Sequence, residues 1–340
     1  MSTKHRAKPK TRAVGIVVED DPCPGLELLI AAVAATAWQF GWDVCGIDGG
    51  FEGLARRKPR RLTPADAAHG VILTGPSRGG MRHLDDMPDL RRAVQAHGLG
   101  GLVAIGGLDA MERAERFHRR DVPVVGVPQA VENDISGTAM AFGFDTAVAT
   151  AVDALDRLRV SARPSGRIIV AEVRGRHTGW VALHAGIAGG AGAIVIPEIP
   201  FRADGVCDTL RARERAGVHP SIVVVAEGAS PSDGGEPGAG IADRVAGVIA
   251  RRLKREARMV ALSAMQLGGP PSSFDRLLAA RLGSAAMRLV NEGLFGNMIA
   301  LRPAGIASVP LHQVTGRPRT VPADFDLLRT ARDLGIGFGE

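Results

Sequence analysis

The chain has 340 residues, 45% hydrophobic and 23% charged, with a formal net charge of +6, a balance that fits a soluble globular protein of about two packed domains and excludes collagen-like, coiled-coil and wholly disordered chains. Only 4% of residues are aromatic and none is Tyr, which leaves little material for the stacking platforms of single-stranded nucleic-acid binders. Five of the 42 basic residues are Lys and the others Arg, a skew that GC-rich coding produces without any nucleic-acid function.

Residues 1–12, MSTKHRAKPKTR, are basic and lack apolar periodicity. They read as a disordered tail, the alternative being a targeting or partner-binding arm, and they lack the apolar stretch of a secretory signal. From Ala13 onward, short β-rich runs alternate with helical segments. Strands are expected at Ala13–Val18, Asp43–Ile47, Gly70–Leu73, Gly101–Ile105, Pro123–Val127, Arg167–Val173, Ala193–Ile196, Ser221–Ala226, Met259–Leu262 and Met298–Leu301. Helices are expected at Gly25–Phe40, Asp89–His97, Met111–Arg119, Asp145–Arg159, Trp180–Gly189, Ile241–Arg255 and Asp275–Asn291. Several strands are near-continuous apolar runs, as in VVVA at 223–226, the pattern of parallel strands buried on both faces. The alternation predicts an α/β fold of doubly wound layers. Cys23, Cys45 and Cys207 show no CxxC or Cys/His ligand spacing, as in a reduced, cytoplasmic chain. No apolar run approaches the ~18 residues of a membrane span, so no membrane partner is expected.

In such sheets, ligands bind beyond the carboxyl ends of the strands, so the loops there carry the chemistry. Glu19-Asp20-Asp21-Pro22-Cys23-Pro24-Gly25 follows the first strand and opens a helix. A helix start favours anions, yet three carboxylates stand where a phosphate cradle has glycines. They read as acidic caps of that helix, the alternative being a divalent-cation site. In Gly106-Gly107-Leu108-Asp109-Ala110 the glycines allow close backbone approach, and Asp109 is a helix cap or a carboxylate beside a metal or phosphate. Pro128-Gln129-Ala130-Val131-Glu132-Asn133-Asp134 puts two carboxylates and an amide in one post-strand loop, suited to a general base with an orienting partner or to an Asx-capped turn. Arg174-Gly175-Arg176 offers guanidinium forks to a phosphate, or is a pair of solvated cations. Glu227 closes the VVVA run, as a hydroxyl acceptor or a strand-end charge. Ser230–Gly240 reads as a surface loop. Gln266–Arg276, with Gly-Gly-Pro-Pro inside it, is rigid. It ends on Arg276 in a first helical turn, where an anion offsets the unfavourable dipole.

Taken in order, these loops resemble the phosphofructokinase family from about Ala13 to the end of the chain. The pieces are CPGL (23–26), IGGLDA (105–110), GVPQAVENDISGT (126–138), FGFDTAV (142–148), EVRGRHTGW (172–180), VVVAEGA (223–229) and QLGGPPSSFDR (266–276). The resemblance implies two Rossmann-like doubly wound lobes and a homodimer or homotetramer. It implies phosphoryl transfer from ATP or pyrophosphate, with Mg²⁺, to the 1-hydroxyl of fructose 6-phosphate or a related sugar phosphate. It places 13–143 plus 256–302 in a donor-side lobe and 144–255 plus 303–340 in a sugar-phosphate lobe. The matching positions imply Glu132, Asp134 and Arg176 as catalytic residues. Arg78, Gly106, Gly107 and Asp109 fall on the donor side, with Asp109 as a metal ligand. Arg167, Gly175, Arg176, Glu227 and Arg276 fall on the sugar phosphate.

The chain departs from the family where donor and chemistry belong. Glu19-Asp20-Asp21-Pro22 replaces a GGGD loop, and Leu108 stands at an acidic or glycine position. Gln129 matches neither donor class, Ala130 replaces the Thr that contacts the transferred group, and Glu132 replaces the base Asp with one more methylene. Arg174 stands for a Met and Leu267 for an Arg. Carboxylates in place of glycines oppose a polyphosphate, so altered or impaired transfer is expected. The alternative is a non-catalytic sugar-phosphate-binding paralogue, or a regulatory subunit assembling with an active homologue. A nucleic-acid role rests only on the net charge and basic tail and has no motif support.

Overall fold

The computed structural model describes residues 12–75, 90–218, 222–232 and 240–340. In chain order the elements are β1 (Ala13–Val18), α1 (Leu26–Gln39), β2 (Asp43–Ile47), α2 (Gly50–Arg56), β3 (Arg60–Arg61), α3 (Pro64–His69), α4 (Leu90–Ala96), β4 (Leu99–Gly106), α5 (Leu108–His118), β5 (Val124–Pro128), α6 (Phe144–Ala162) and β6 (Ile168–Val173). They continue as α7 (Trp180–Ala188), β7 (Ala193–Val195), α8 (Ala203–Arg215), β8 (Ile222–Ala226), α9 (Ile241–Leu253), β9 (Ala257–Ala261), α10 (Ser273–Glu292), β10 (Asn297–Arg302), β11 (Gly305–Pro310) and α11 (Asp326–Asp333). The chain divides into two units. The first comprises Met1–Gln129, Ser136–Met140 and Arg276–Gly316, and the second Ala130–Ile135, Ala141–Asp275 and Arg317–Glu340.

Among the described residues, the first unit holds a seven-stranded sheet in the order β11-β10-β5-β4-β1-β2-β3. Its centre is parallel, while β3 on β2 and β11 on β10 run antiparallel. β5 and all but the first residue of β1 are buried at consecutive positions, so both faces of the sheet are covered, as the apolar runs predicted. The chain leaves β1 toward β2 on one side and returns as β4 on the other. That reversal opens a crevice beyond the carboxyl ends of β1 and β4, where residues 19–25 and 106–107 begin.

The second unit holds a four-stranded parallel sheet, β7-β8-β6-β9. Ile168, Val170, Val223, Val225 and Ala193 of its strands pack with Phe201, Leu210, Val245 and Ile249 into one core cluster. The loops after β6, β8 and β9 leave the same end of this sheet.

Several expectations are corrected. The strand expected at Gly70–Leu73 does not form. Val71 and Leu73 are buried and Ile72 is 72% exposed, so the apolar alternation there records burial without a ladder. Residues 256–275 cluster with the second unit, where β9 pairs with β6. Ala130–Ile135 and residues 141–143 also cluster with the second unit, Ser136–Met140 with the first through Ala139 N–H donating to Leu301 O, and residues 303–316 with the first through β11 pairing with β10. Residues 1–11, and 233–239 of the expected surface loop, lie outside the described residues. Arg12, at the end of the expected tail, sets its guanidinium 5.7 Å from the Trp42 ring.

Candidate functional site

In the first unit the acidic loop after β1 is built into the fold. The Glu19 carboxylate, on a residue 7% exposed, accepts from Phe51 N–H at 2.6 Å and from Arg113 Nη1 at 2.7 Å. Arg113 projects from α5 and its side chain is 7% exposed. Burial pushes the Glu19 carboxyl above its usual range, against the Phe51 amide and the Arg113 charge that pull it down. Asp20 turns the other way and accepts from Gly107 N–H. Gln129 is buried, donates its backbone N–H to Gly106 O at 2.9 Å and donates its side-chain amide to Asp21 O at 3.0 Å. The expected capping of the following helix by these carboxylates is corrected. α1 starts from Gly25 with no side-chain cap, and the two carboxylates serve the first turn of α2 and the residue that opens α5. Glu19 is neutralised by a cation, so the three charges do not act together against an anion.

Gly106 ends β4 and Gly107 is the N-cap of α5. Asp109 is in the first turn of α5, exposed and not the cap. Among the described residues no group of three or more His, Cys, Asp or Glu converges as metal ligands. Leu108, half-buried, stands beside Asp109. Arg78 lies outside the described residues. Arg276 is exposed in α10, at the start of a segment of the first unit.

In the second unit the loops after β6 and β8 draw four of the expected residues together with Glu132. The Glu132 carboxylate accepts from Arg176 N–H at 3.0 Å and lies 3.9 Å from Arg174 Nη1. Its backbone carbonyl accepts from Thr178 Oγ1 at 3.2 Å. Burial pushes the Glu132 carboxyl up, and the negative charges of Asp134 and Glu227 push the same way, while the Arg176 amide and the Arg174 cation oppose them. Gly228 N–H donates to Gly175 O at 3.0 Å, and a Cβ on Gly228 would lie 1.8 Å from Arg176 O. Close stacking of the two loops therefore requires Gly228. The Asp134 carbonyl accepts from Arg319 N–H at 2.6 Å. Asn133 adopts φ 54°, a left-handed turn that Asn tolerates, and its Oδ1 accepts from Ala141 N–H at 2.8 Å. Arg176 itself is exposed.

Arg167 does not join this cluster. It precedes β6, at the opposite end of the strand from Gly175, and donates to Ser165 Oγ at 2.7 Å. Two supporting residues escaped the sequence reading. Gln266 is fully buried, with Oε1 accepting from Arg174 N–H at 2.9 Å and Nε2 donating to Ala147 O at 3.2 Å. Asp275, also fully buried, accepts from Gly143 N–H and from both the N–H and hydroxyl of Thr146. Arg113 was missed too, although a lone Arg on the apolar stripe of Ala110, Met111, Ala114 and Phe117 is a signal that it has a buried partner.

A family model described as phosphofructokinase matches residues 13–290. The chain is 42% identical over 351 residues to an ATP-dependent 6-phosphofructokinase of Chloroflexus aurantiacus, covering 97% of this chain and 99% of that one. It is 39% identical over 350 residues to a pyrophosphate–fructose 6-phosphate 1-phosphotransferase of Streptomyces coelicolor, covering 96% and 99%. Among known structures, Pichia pastoris phosphofructokinase in the T-state superposes with a TM-score of 0.82 at 25% identity, over 92% of this chain and 39% of that longer chain. A pyrophosphate-dependent phosphofructokinase of Marinobacter aquaeolei gives 0.80 at 20% identity, over 96% and 88%, a likeness of fold.

Proposed function

Because the chain belongs to the phosphofructokinase family, we propose that it takes a sugar phosphate of the fructose 6-phosphate class at the loops of its second unit, with phosphoryl transfer from ATP or pyrophosphate slowed by its altered loops. The observation that carries this is the meeting of Glu132 with Arg174, Arg176 and the Glu227 loop. Arg176 is the exposed cation there, suited to a phosphate oxygen. Glu132 is the group to accept the proton of the attacking hydroxyl, and a carboxyl raised by burial is a better base near neutral pH than an ordinary one. Arg174, at 3.9 Å, restrains that rise.

Two features work against rate. Glu132 carries one methylene more than Asp, and a misplacement of about 1 Å costs on the order of 10²-fold in such reactions. Ala130 has no hydroxyl for the transferred group. Relatives of both donor types match at similar identity, so similarity does not choose between ATP and pyrophosphate. Magnesium would arrive with the donor phosphates. Arg167, at the far end of β6 from this cluster, has no part in this reading, and the expected setting is a homo-oligomer in the cytoplasm, as in the family. The internal bond of Asp20 to Gly107 favours the second reading, a sugar-phosphate-binding protein that does not turn over.

Calorimetric titration with fructose 6-phosphate tests the acceptor site, and a coupled assay with ATP·Mg²⁺ or pyrophosphate·Mg²⁺ tests transfer. Arg176→Ala is expected to weaken sugar-phosphate binding by roughly 10- to 150-fold, the worth of a charged hydrogen bond. Unchanged affinity in the folded variant would refute the assignment. Binding with no transfer from either donor would select the second reading.

A further inference from the structure

The bond between Asp20 and Gly107 has no part in holding the sheet together, since β1 and β4 are already laddered through Val18 and Ile105. The carboxylate lies directly over the two glycines. A Cβ on Gly106 would come within 2.9 Å of Asp20 Oδ2, and one on Gly107 within 3.0 Å. Gly107 begins α5, a helix of 11 residues, whose free amides and dipole attract negative charge. Asp20 supplies that charge from within the chain. Glu19 is not available to do so, being held by Arg113 and Phe51 N–H.

A separate observation marks this loop cluster as incomplete. Gln129, 3% exposed, presses its carboxamide against the Glu19–Asp21 loop through Nε2 and Asp21 O. The Oε1 of that same carboxamide is buried and has no hydrogen-bond partner among the described residues. A buried acceptor left unmade is unfavourable, and a ligand bearing a donor, such as a protonated phosphate hydroxyl or a metal-bound water, would satisfy it.

We infer that Asp20 is a built-in anion that occupies the Gly107 amide at the start of α5, and that it excludes pyrophosphate and the phosphates of ATP from this loop until the carboxylate is removed or displaced. Asp20 is therefore a specificity-determining residue, setting whether the β4–α5 loop takes a phosphoryl donor at all. This rests on the family function proposed above for the donor class.

The test is titration of the full-length protein with pyrophosphate and with ATP, each with and without Mg²⁺ and with no sugar phosphate present. Asp20→Gly vacates the amide, and Asp20→Asn keeps the side chain's shape while removing its charge. Asp21→Asn changes net charge equally without touching Gly107. Both Asp20 variants are expected to gain at least about tenfold in affinity for pyrophosphate, the lower end of the worth of a charged hydrogen bond, while Asp21→Asn gains less than threefold. Hydrogen exchange at the Gly107 amide is expected to be slow in the wild type, fast in Asp20→Gly, and slow again when pyrophosphate is added. The inference is overturned if the wild type binds as tightly as Asp20→Gly, if Asp21→Asn gains equally, or if both folded Asp20 variants fail to bind. Titration of the same proteins with fructose 6-phosphate separates the two levels: loss of that binding alone counts against the acceptor site, and not against the role of Asp20.

Discussion

Removing the Arg113 guanidinium strands the Glu19 carboxylate where water does not reach it. The two side chains are 7% and 2% exposed and 2.7 Å apart, so neither charge is screened by solvent. Taking away one partner of a buried pair costs about 3–5 kcal/mol, whereas replacing both by groups of similar volume is often neutral. For a unit of the 150–250-residue class, about 2–4 °C per kcal/mol converts this into a fall in Tm of about 6–20 °C for Arg113→Met. Glu19→Gln keeps an oxygen for Phe51 N–H but leaves the guanidinium alone, and is expected to cost a similar amount. The double variant, Glu19→Gln with Arg113→Met, is expected to recover most of the loss, with a coupling of about 2 kcal/mol or more. The pH dependence has a definite sign. Burial raises the Glu19 carboxyl in the folded state, and Arg113→Met removes a cation that opposes the rise. The folded variant therefore binds a proton more tightly than the unfolded chain. Its relative stability is best below the ordinary Glu range and falls as pH rises through the raised value. Thermal unfolding by circular dichroism at acid and at mildly alkaline pH measures this. Single variants within 1 kcal/mol of wild type, or a strictly additive double variant, would refute the reasoning.

Asp275→Ala leaves the buried amides of Gly143 and Thr146 without an acceptor, an expected loss of about 2–5 kcal/mol, visible as a lower denaturation midpoint and faster hydrogen exchange at the start of α6. Gly228→Ala drives a Cβ to 1.8 Å from Arg176 O. The Arg176 loop must shift, and fructose 6-phosphate affinity should fall about tenfold or more, while in the Asp20→Gly background affinity for pyrophosphate does not change. Side-chain carboxyl NMR of Glu132 should titrate above the ordinary Glu value, and Arg174→Met should raise it further, since a favourable cation is removed. A lower value in that variant would contradict the geometry at Arg174.

Periodicity and apolar runs were sufficient to locate the layers. β1 and β2 fall at their expected residues, and α1, α7 and α9 start within one residue of expectation, because strands buried on both faces leave continuous apolar runs in the chain. α2, α3, α8 and α11 were not visible: α2 and α3 are short, α11 is dominated by charge, and the buried stripe of α8 is narrow, Val206, Cys207 and Leu210 among Arg and Asp. The family, too, was legible from the order of the post-strand loops. Which group each loop residue touches was not. Glu19, Asp20 and Asp21 are adjacent and chemically alike, yet one is buried on Arg113 and the next covers Gly107. Arg167 and Arg176 looked equivalent, yet β6 holds them at opposite ends. Local sequence determines where polar residues leave a strand. A charge meets its partner across tens of residues, from Glu19 to Arg113 or from Glu132 to Arg174, and only the packing of strands that are neighbours in space and distant in sequence decides that meeting.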